Sequence, residues 1–318
     1  MQNATSVGNN RIKGILAPVV TPFSADLVPD ADRLLAHCRW LISNDVGLAI
    51  FGTNSEGNSL SVDEKIALID HLADNAVSPA RMMPGTGCCA LTDSVRLTQH
   101  ATRIGCAGVL MLPPFYYKGV SDEGLFRNFA EIIERVGDNR LRIYLYNIPP
   151  VSHVAITTGL IERLLKAYPG IIAGAKDSSG DWENTRAYID NFGGDGFDVF
   201  PGAETFLLQG LRNGGVGCIS ATANVNPGPI ARLHATWNGD DAEDQQTRLN
   251  EIRGIFARYP MIPALKAAIG HYTGDESWTT VRPPLVELTG EQENSLLSDL
   301  DRAGFRMPGL ESRQLSGM

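Results

Sequence analysis

Residues 170–181 read GIIAGAKDSSGD: an apolar run ends in a lysine, and a turn-forming Asp-Ser-Ser-Gly follows at once. A run that is apolar throughout, without alternation, has the pattern of a strand covered on both faces, as in a parallel sheet. Seven more such runs punctuate the chain: GILAPVV from Gly14, GLAIFG from Gly47, RMMPG from Arg81, AGVLML from Ala107, RIYLYN from Arg142, FDVFPG from Phe197 and GVGCIS from Gly215. Amphipathic segments separate them. In the clearest, from Ser121, the residues Leu125, Phe126, Phe129, Ile132, Ile133 and Val136 recur at helix spacing before Gly137. Another opens at Ser61 with SVDE, a capping box closed by Glu64. Eight strand–helix units predict an α/β fold, a closed (β/α)8 TIM barrel rather than a doubly wound sheet.

The repeats end near Trp237, so residues 1–238 are expected to form the barrel with a short N-terminal segment. Residues 239–318 then form a C-terminal helical appendage packed on it, through TRLNEIRGIFARY, PALKAAIGHY and GEQENSLLSDLDRAG. The first dozen residues and the tail from Pro308 lack periodicity and are expected to be mobile.

Composition narrows the function. A net charge of -9 with 43% hydrophobic and 20% charged residues describes an acidic folded protein, which argues against nucleic acid and anionic membranes as partners. The N-terminus has no apolar signal region, and no stretch approaches the ~18 apolar residues of a membrane span, so a cytoplasmic location is expected. The five cysteines contain no CxxC pair and read as reduced structural thiols. No His, Cys or carboxylate cluster has metal-ligand spacing, and neither GxGxxG nor a P-loop occurs, so neither a metal nor a nucleotide cofactor is expected.

In a barrel of this kind the active site lies at the C-terminal ends of the strands, and Lys176 occupies such an end. The other five lysines fall before the first strand (Lys13), within helices (Lys65, Lys166), in a loop (Lys118) and in the appendage (Lys266). An amine placed there loses hydration, which favours the neutral form that attacks a carbonyl. The residue equally fits a plain ion pair with Asp177 that closes the strand. GTNSEGNSLS, behind the second run, offers the Thr53 hydroxyl and backbone N–H groups for a small carboxylate or phosphate, or simply a helix cap. YLYNIPP puts Tyr146 at the mouth, for packing or for chemistry; Tyr116 and Tyr117 fit an aromatic or subunit contact. Glu204, Ser220 and Thr222 are polar groups at the same level.

Taken together, VTPF at Val20, GTNSEG at Gly52, PPFYYK at Pro113, YNIPP at Tyr146, GAKDSSG at Gly174 and GGVGCISATAN at Gly214 resemble the dihydrodipicolinate synthase and N-acetylneuraminate lyase family. PALKAAI and VRPPLVEL in the appendage also look familial. The resemblance implies a class I lyase, usually a homotetramer built as a dimer of dimers, that binds pyruvate or a 2-oxo acid as a Schiff base. Lys176 would form the imine, with no other cofactor. Tyr146 would shuttle protons through Thr53 and through Tyr117 of a neighbouring subunit. Backbone N–H groups around Thr53 and Asn54 would hold the substrate carboxylate, with Glu204 and Ile219 completing the binding set.

Two departures bear on the substrate. Synthases acting on aspartate semialdehyde carry an arginine where YNIPPVSH has Val151, which leaves Arg282 or an arginine of a second subunit as substitutes. Asn54 and Ser55 stand where many members have a second Thr or Ser and a Gly, closer to 4-hydroxy-2-oxoglutarate aldolases. The expected activity is therefore cleavage or formation of the C3–C4 bond of a hydroxylated 2-oxo acid, a 2-keto-3-deoxy sugar acid or 4-hydroxy-2-oxoglutarate. The alternatives are dehydration of a 2-keto-3-deoxy sugar acid, dihydrodipicolinate synthase itself, or, in another class, a non-catalytic metabolite-binding barrel.

Overall fold

The computed structural model describes residues 11–310. Seven strands are fully formed: β1 (Gly14–Ala17), β2 (Gly47–Leu48), β3 (Val109–Met111), β4 (Ile143–Asn147), β5 (Ile172–Asp177), β6 (Asp198–Pro201) and β7 (Gly217–Ile219). They pair in parallel as β2-β1-β7 and β3-β4-β5-β6. The run from Arg81 supplies the missing link without becoming a regular strand. It makes single parallel bridges, Leu48 to Met82 and Gly85 to Leu110, because Pro84 has no N–H to give the ladder. Met83 N still donates to Leu48 O at 2.8 Å, Gly85 N to Ile50 O at 2.7 Å and Thr86 N to Leu110 O at 3.0 Å. On the other side Val216 N donates to Val199 O at 3.1 Å and joins β7 to β6. The circle is closed.

The lumen is filled by side chains from six strands, from Ala49 just past β2 and from the linking segment: Leu16, Ala49, Met83, Leu110, Tyr144, Tyr146, Ala173, Phe200 and Ile219 form one buried cluster. Helices coat the outside, and their ends follow local chemistry. Ser61 and Glu64 form the expected capping box of Val62–Asp74. Ser121 caps Asp122–Val136, which stops at Gly137 with φ 62°, a left-handed conformation that glycine adopts without strain. After the helix Pro227–Ala235 come three more, Ala242–Phe256, Met261–Thr273 and Gly290–Arg302. Their Ile252, Leu265 and Leu300 share an apolar cluster with Leu34 and Trp40 of the first helix.

The mobility expected at the two ends lies mostly outside the described residues, and where it does not, the chain is anchored. Arg11 donates to Ala173 O at 3.0 Å and pairs with Asp198 at 3.3 Å. The Pro308 carbonyl accepts from Trp40 Nε1 at 3.0 Å.

Candidate active site

Lys176 faces the lumen because β5 contains a bulge. The register with β4 jumps from Ile143↔Ile172 to Tyr144↔Gly174, so Ala173 is an extra residue. Ile172 packs in the layer outside the barrel, and uninterrupted alternation would send residue 176 the same way. The extra residue reverses the phase, turning Lys176 inward and Asp177 outward. Gly174 makes room for this: a Cβ there would lie 2.1 Å from Asp198 O and 2.9 Å from the Tyr144 ring.

Asp177 does not pair with Lys176. Its carboxylate accepts from Asn147 Nδ2 at 2.8 Å, Ser179 N at 3.1 Å, Ser179 Oγ at 2.9 Å and Thr185 Oγ1 at 2.5 Å. It thereby ties the ends of β4 and β5 to the helix Trp182–Phe192. The Asp-Ser-Ser-Gly turn is thus an internally satisfied clasp that leaves the lysine free for the lumen.

Lys176 is 2% exposed, and among the described residues no carboxylate lies within ion-pairing distance of it. Its Nζ donates to Tyr146 OH at 3.3 Å and sits 4.4 Å from the centre of that ring. Tyr146 is Lys176's register partner on β4. The Tyr146 hydroxyl also lies 3.1 Å from Thr53 Oγ1. Three residues from three strand ends therefore form one hydrogen-bonded line, amine to phenol to alcohol.

Thr53 reaches this position on a short 3-10 turn, Thr53–Ser55, flanked by two non-glycine residues in the left-handed region, Phe51 (φ 65°) and Glu56 (φ 54°). Such strain persists only where surroundings enforce it. Ser55 N and Gly57 N both donate to Gly52 O at 3.1 Å, and Glu56 N donates to Thr53 O at 3.1 Å. The N–H groups of Thr53 and Asn54 have no acceptor among the described residues. Both residues are half-buried, within reach of a ligand.

Cys218, next to the expected Ile219, is fully buried, and burial reinforced by the Glu204 charge holds its thiol well above the ordinary range. It is not a competing nucleophile. No grouping of three His, Cys, Asp or Glu among the described residues suits a metal ion, and no helix there is long and apolar enough to cross a membrane.

The chain matches the model of the dihydrodipicolinate synthetase family over residues 11–303. The chain belongs to that family. An uncharacterised DapA-like lyase of Chloroflexus aurantiacus is 33% identical over 294 residues, which cover 91% of this chain and 96% of that one. Dihydrodipicolinate synthase from Agrobacterium tumefaciens superposes with a TM-score of 0.85 at 32% identity, covering 92% of this chain and 99% of the other. YagE, a prophage protein of the dihydrodipicolinic acid synthase family from E. coli K12 solved in complex with pyruvate, gives 0.83 at 29% identity and the same coverage. Membership makes this dihydrodipicolinate synthetase family protein a lyase of aldolase type, built on the TIM barrel.

Other expected residues of this family member sit differently. Ile219 lines the lumen beside Tyr146. Glu204 is buried and inward-looking: its two carboxylate oxygens accept from Ser220 Oγ and Thr222 Oγ1, with Arg253 at 3.8 Å, so neither is open to a substrate. Tyr117 is 73% exposed and stacks edge-on with Tyr116 at 5.3 Å, apart from Tyr146 and Thr53 of its own chain. Lys118 pins this loop to the short helix Pro149–Ser152 by donating to Ser152 O at 2.9 Å. Val151 projects from that helix, 57% exposed. Arg282 cannot replace the missing guanidinium, because its side chain is spent on Leu27 O, Ser59 O and Glu64.

Proposed function

We propose that the protein is a class I aldolase that binds pyruvate or a hydroxylated 2-oxo acid as a Schiff base on Lys176 and cleaves or forms the C3–C4 bond. The observation that carries this reading is the buried Lys176 amine, without a carboxylate partner among the described residues, 3.3 Å from the Tyr146 hydroxyl. The amine adds to the C2 carbonyl. Tyr146 gives its proton to the departing hydroxyl, so that water leaves and a protonated imine remains. The phenoxide then takes the proton of the C4 hydroxyl, the C3–C4 pair flows to the imine nitrogen, and an aldehyde departs. Tyr146 returns the proton to C3 of the enamine, and water releases pyruvate and the free lysine. No further cofactor enters.

Thr53, 3.1 Å from Tyr146, holds the phenol in line. The unspent N–H groups of Thr53 and Asn54 suit the substrate carboxylate, and Ile219 supplies an apolar wall. The exposed Tyr117 supports a homotetramer in which a neighbour completes the relay. The five free cysteines suit a reducing, cytoplasmic setting.

Val151 and the fully occupied Arg282 favour hydroxylated 2-oxo acids over aspartate semialdehyde, since a charged head group would be desolvated without a partner. The test compares kcat/KM for retro-aldol cleavage of 4-hydroxy-2-oxoglutarate and 2-keto-3-deoxy sugar acids with that for condensation of pyruvate and aspartate semialdehyde. The first group is expected to be turned over and the second reaction to be negligible. Aspartate semialdehyde as the best substrate would overturn the substrate reading.

A further inference from the structure

Three motifs that take no part in the chemistry converge on Glu56, just behind the Thr53 turn. Lys266, from PALKAAI, is fully buried and forms an ion pair with Glu56 of GTNSEG, whose side chain is equally inaccessible. Lys266 Nζ also donates to Thr280 O at 2.7 Å. The second oxygen of Glu56 accepts from the backbone N–H of Arg282, from VRPPLVEL, at 2.9 Å. Phe23, from VTPF, lies beneath both cations, 4.5 Å from Lys266 Nζ and 4.8 Å from the Arg282 guanidinium. Thr21 of the same motif donates to Ser55 O at 2.7 Å.

Glu56 is the left-handed residue that ends the Thr53–Ser55 turn, and its N–H closes that turn on Thr53 O at 3.1 Å. Fixing its carboxylate therefore fixes the turn. A buried ion pair is a poor source of stability, since well-packed apolar groups often serve as well or better. What it adds is direction, because two charges joined in a dry interior have one good arrangement.

We propose that Glu56 and Lys266 are positioning residues: the pair reaches from the C-terminal helices to the turn and holds the Thr53 hydroxyl against Tyr146. This rests on the reading that Tyr146 and Thr53 carry protons for an imine on Lys176. Displacing Thr53 lengthens its 3.1 Å contact with Tyr146, and small misplacements of a catalytic group cost up to about 100-fold in rate.

The test uses the full-length enzyme with Glu56→Gln and Lys266→Met combined, so that no lone charge is left buried, and Glu56→Gln alone should the pair variant fail to fold. Each is made with and without Thr53→Val. Pyruvate trapping by borohydride, kcat and KM are read on the same folded samples. We expect the pair variant still to trap pyruvate on Lys176, with kcat lowered about 10- to 100-fold and KM raised as well, because the same turn carries the Thr53 and Asn54 N–H groups that hold the substrate carboxylate. In the Thr53→Val background the same substitutions should have little further effect on kcat, as residues acting through one contact are not additive. An unchanged kcat in the folded variant, or a loss that multiplies in full with Thr53→Val, overturns the inference. A parent that forms no adduct on Lys176 removes the imine reading and this inference with it, whereas a labelled parent beside an unaffected variant removes this inference alone.

Discussion

Tyr146 and Lys176 are register partners on adjacent strands, and the phenol oxygen lies 3.3 Å from the amine inside the barrel. A hydroxyl so placed is a packing element or a proton carrier, and removing the oxygen alone separates the two. Tyr146→Phe keeps the ring in its lumen cluster, so the melting temperature should shift by only a few degrees while turnover falls about 10²- to 10⁴-fold. Parental turnover would assign the ring to packing.

Exposure of Tyr117 at 73% makes a prediction about assembly. If the relay crosses between subunits, Tyr117→Phe and Lys176→Ala proteins should each be nearly inactive alone. Mixing them under conditions of subunit exchange should restore a measurable fraction of parental activity, in species of tetramer mass by light scattering. Exchange without recovery would confine the relay to one chain.

The Asp177 clasp predicts a stability effect. Asp177→Ala leaves four hydrogen-bond donors, from Asn147, Ser179 and Thr185, without their acceptor. Denaturant unfolding should show a loss of about 2–4 kcal/mol. A loss below about 0.5 kcal/mol would mean that water replaces the carboxylate at no cost.

Two groups with large shifts contribute to the acid sensitivity of the fold. Burial pushes the His37 imidazole from 6.5 down to about 4, against a weak opposing contact with Asn224. The Arg282 hydrogen bond pulls the Glu64 carboxyl from 4.5 down to about 2. Both folded values lie below the unfolded ones, so the unfolded chain binds more protons and stability rises with pH across these ranges. The His37 contribution is complete above 6.5 and lost as pH falls through about 4; that of Glu64 is complete above 4.5 and lost through about 2. The melting-temperature difference between parent and Glu64→Gln should therefore be constant from pH 7 to 5 and shrink below. A difference independent of pH down to 2 would contradict the pairing.

The eight runs, the Ser61 capping box and the position of Lys176 were legible in the sequence because each is a local pattern: continuous apolar strands, a four-residue cap, a polar residue at a strand end. What was not legible depends on phase and distance. The bulge at Ala173 decides which way Lys176 points, yet it is one residue of register against a neighbouring strand. The partners of Glu56 lie 210 and 226 residues away, and no periodicity links them. Glu204, expected in the binding set, is instead held by Ser220 and Thr222 of the next strand end, a pairing that no local pattern reveals. The segment 81–85 keeps its place between β2 and β3 but loses strand regularity to Pro84.

The central claim is that Lys176 is the electrophile-capturing amine, although Lys65 and Lys266 are buried too, the latter neutralised by Glu56. Incubation with pyruvate and borohydride followed by peptide mass mapping tests it most directly. A single reduced three-carbon adduct on the peptide containing Lys176, absent from Lys176→Arg, is the predicted result. Labelling of Lys176→Arg as strong as that of the parent, or an adduct mapped to another lysine, would contradict it.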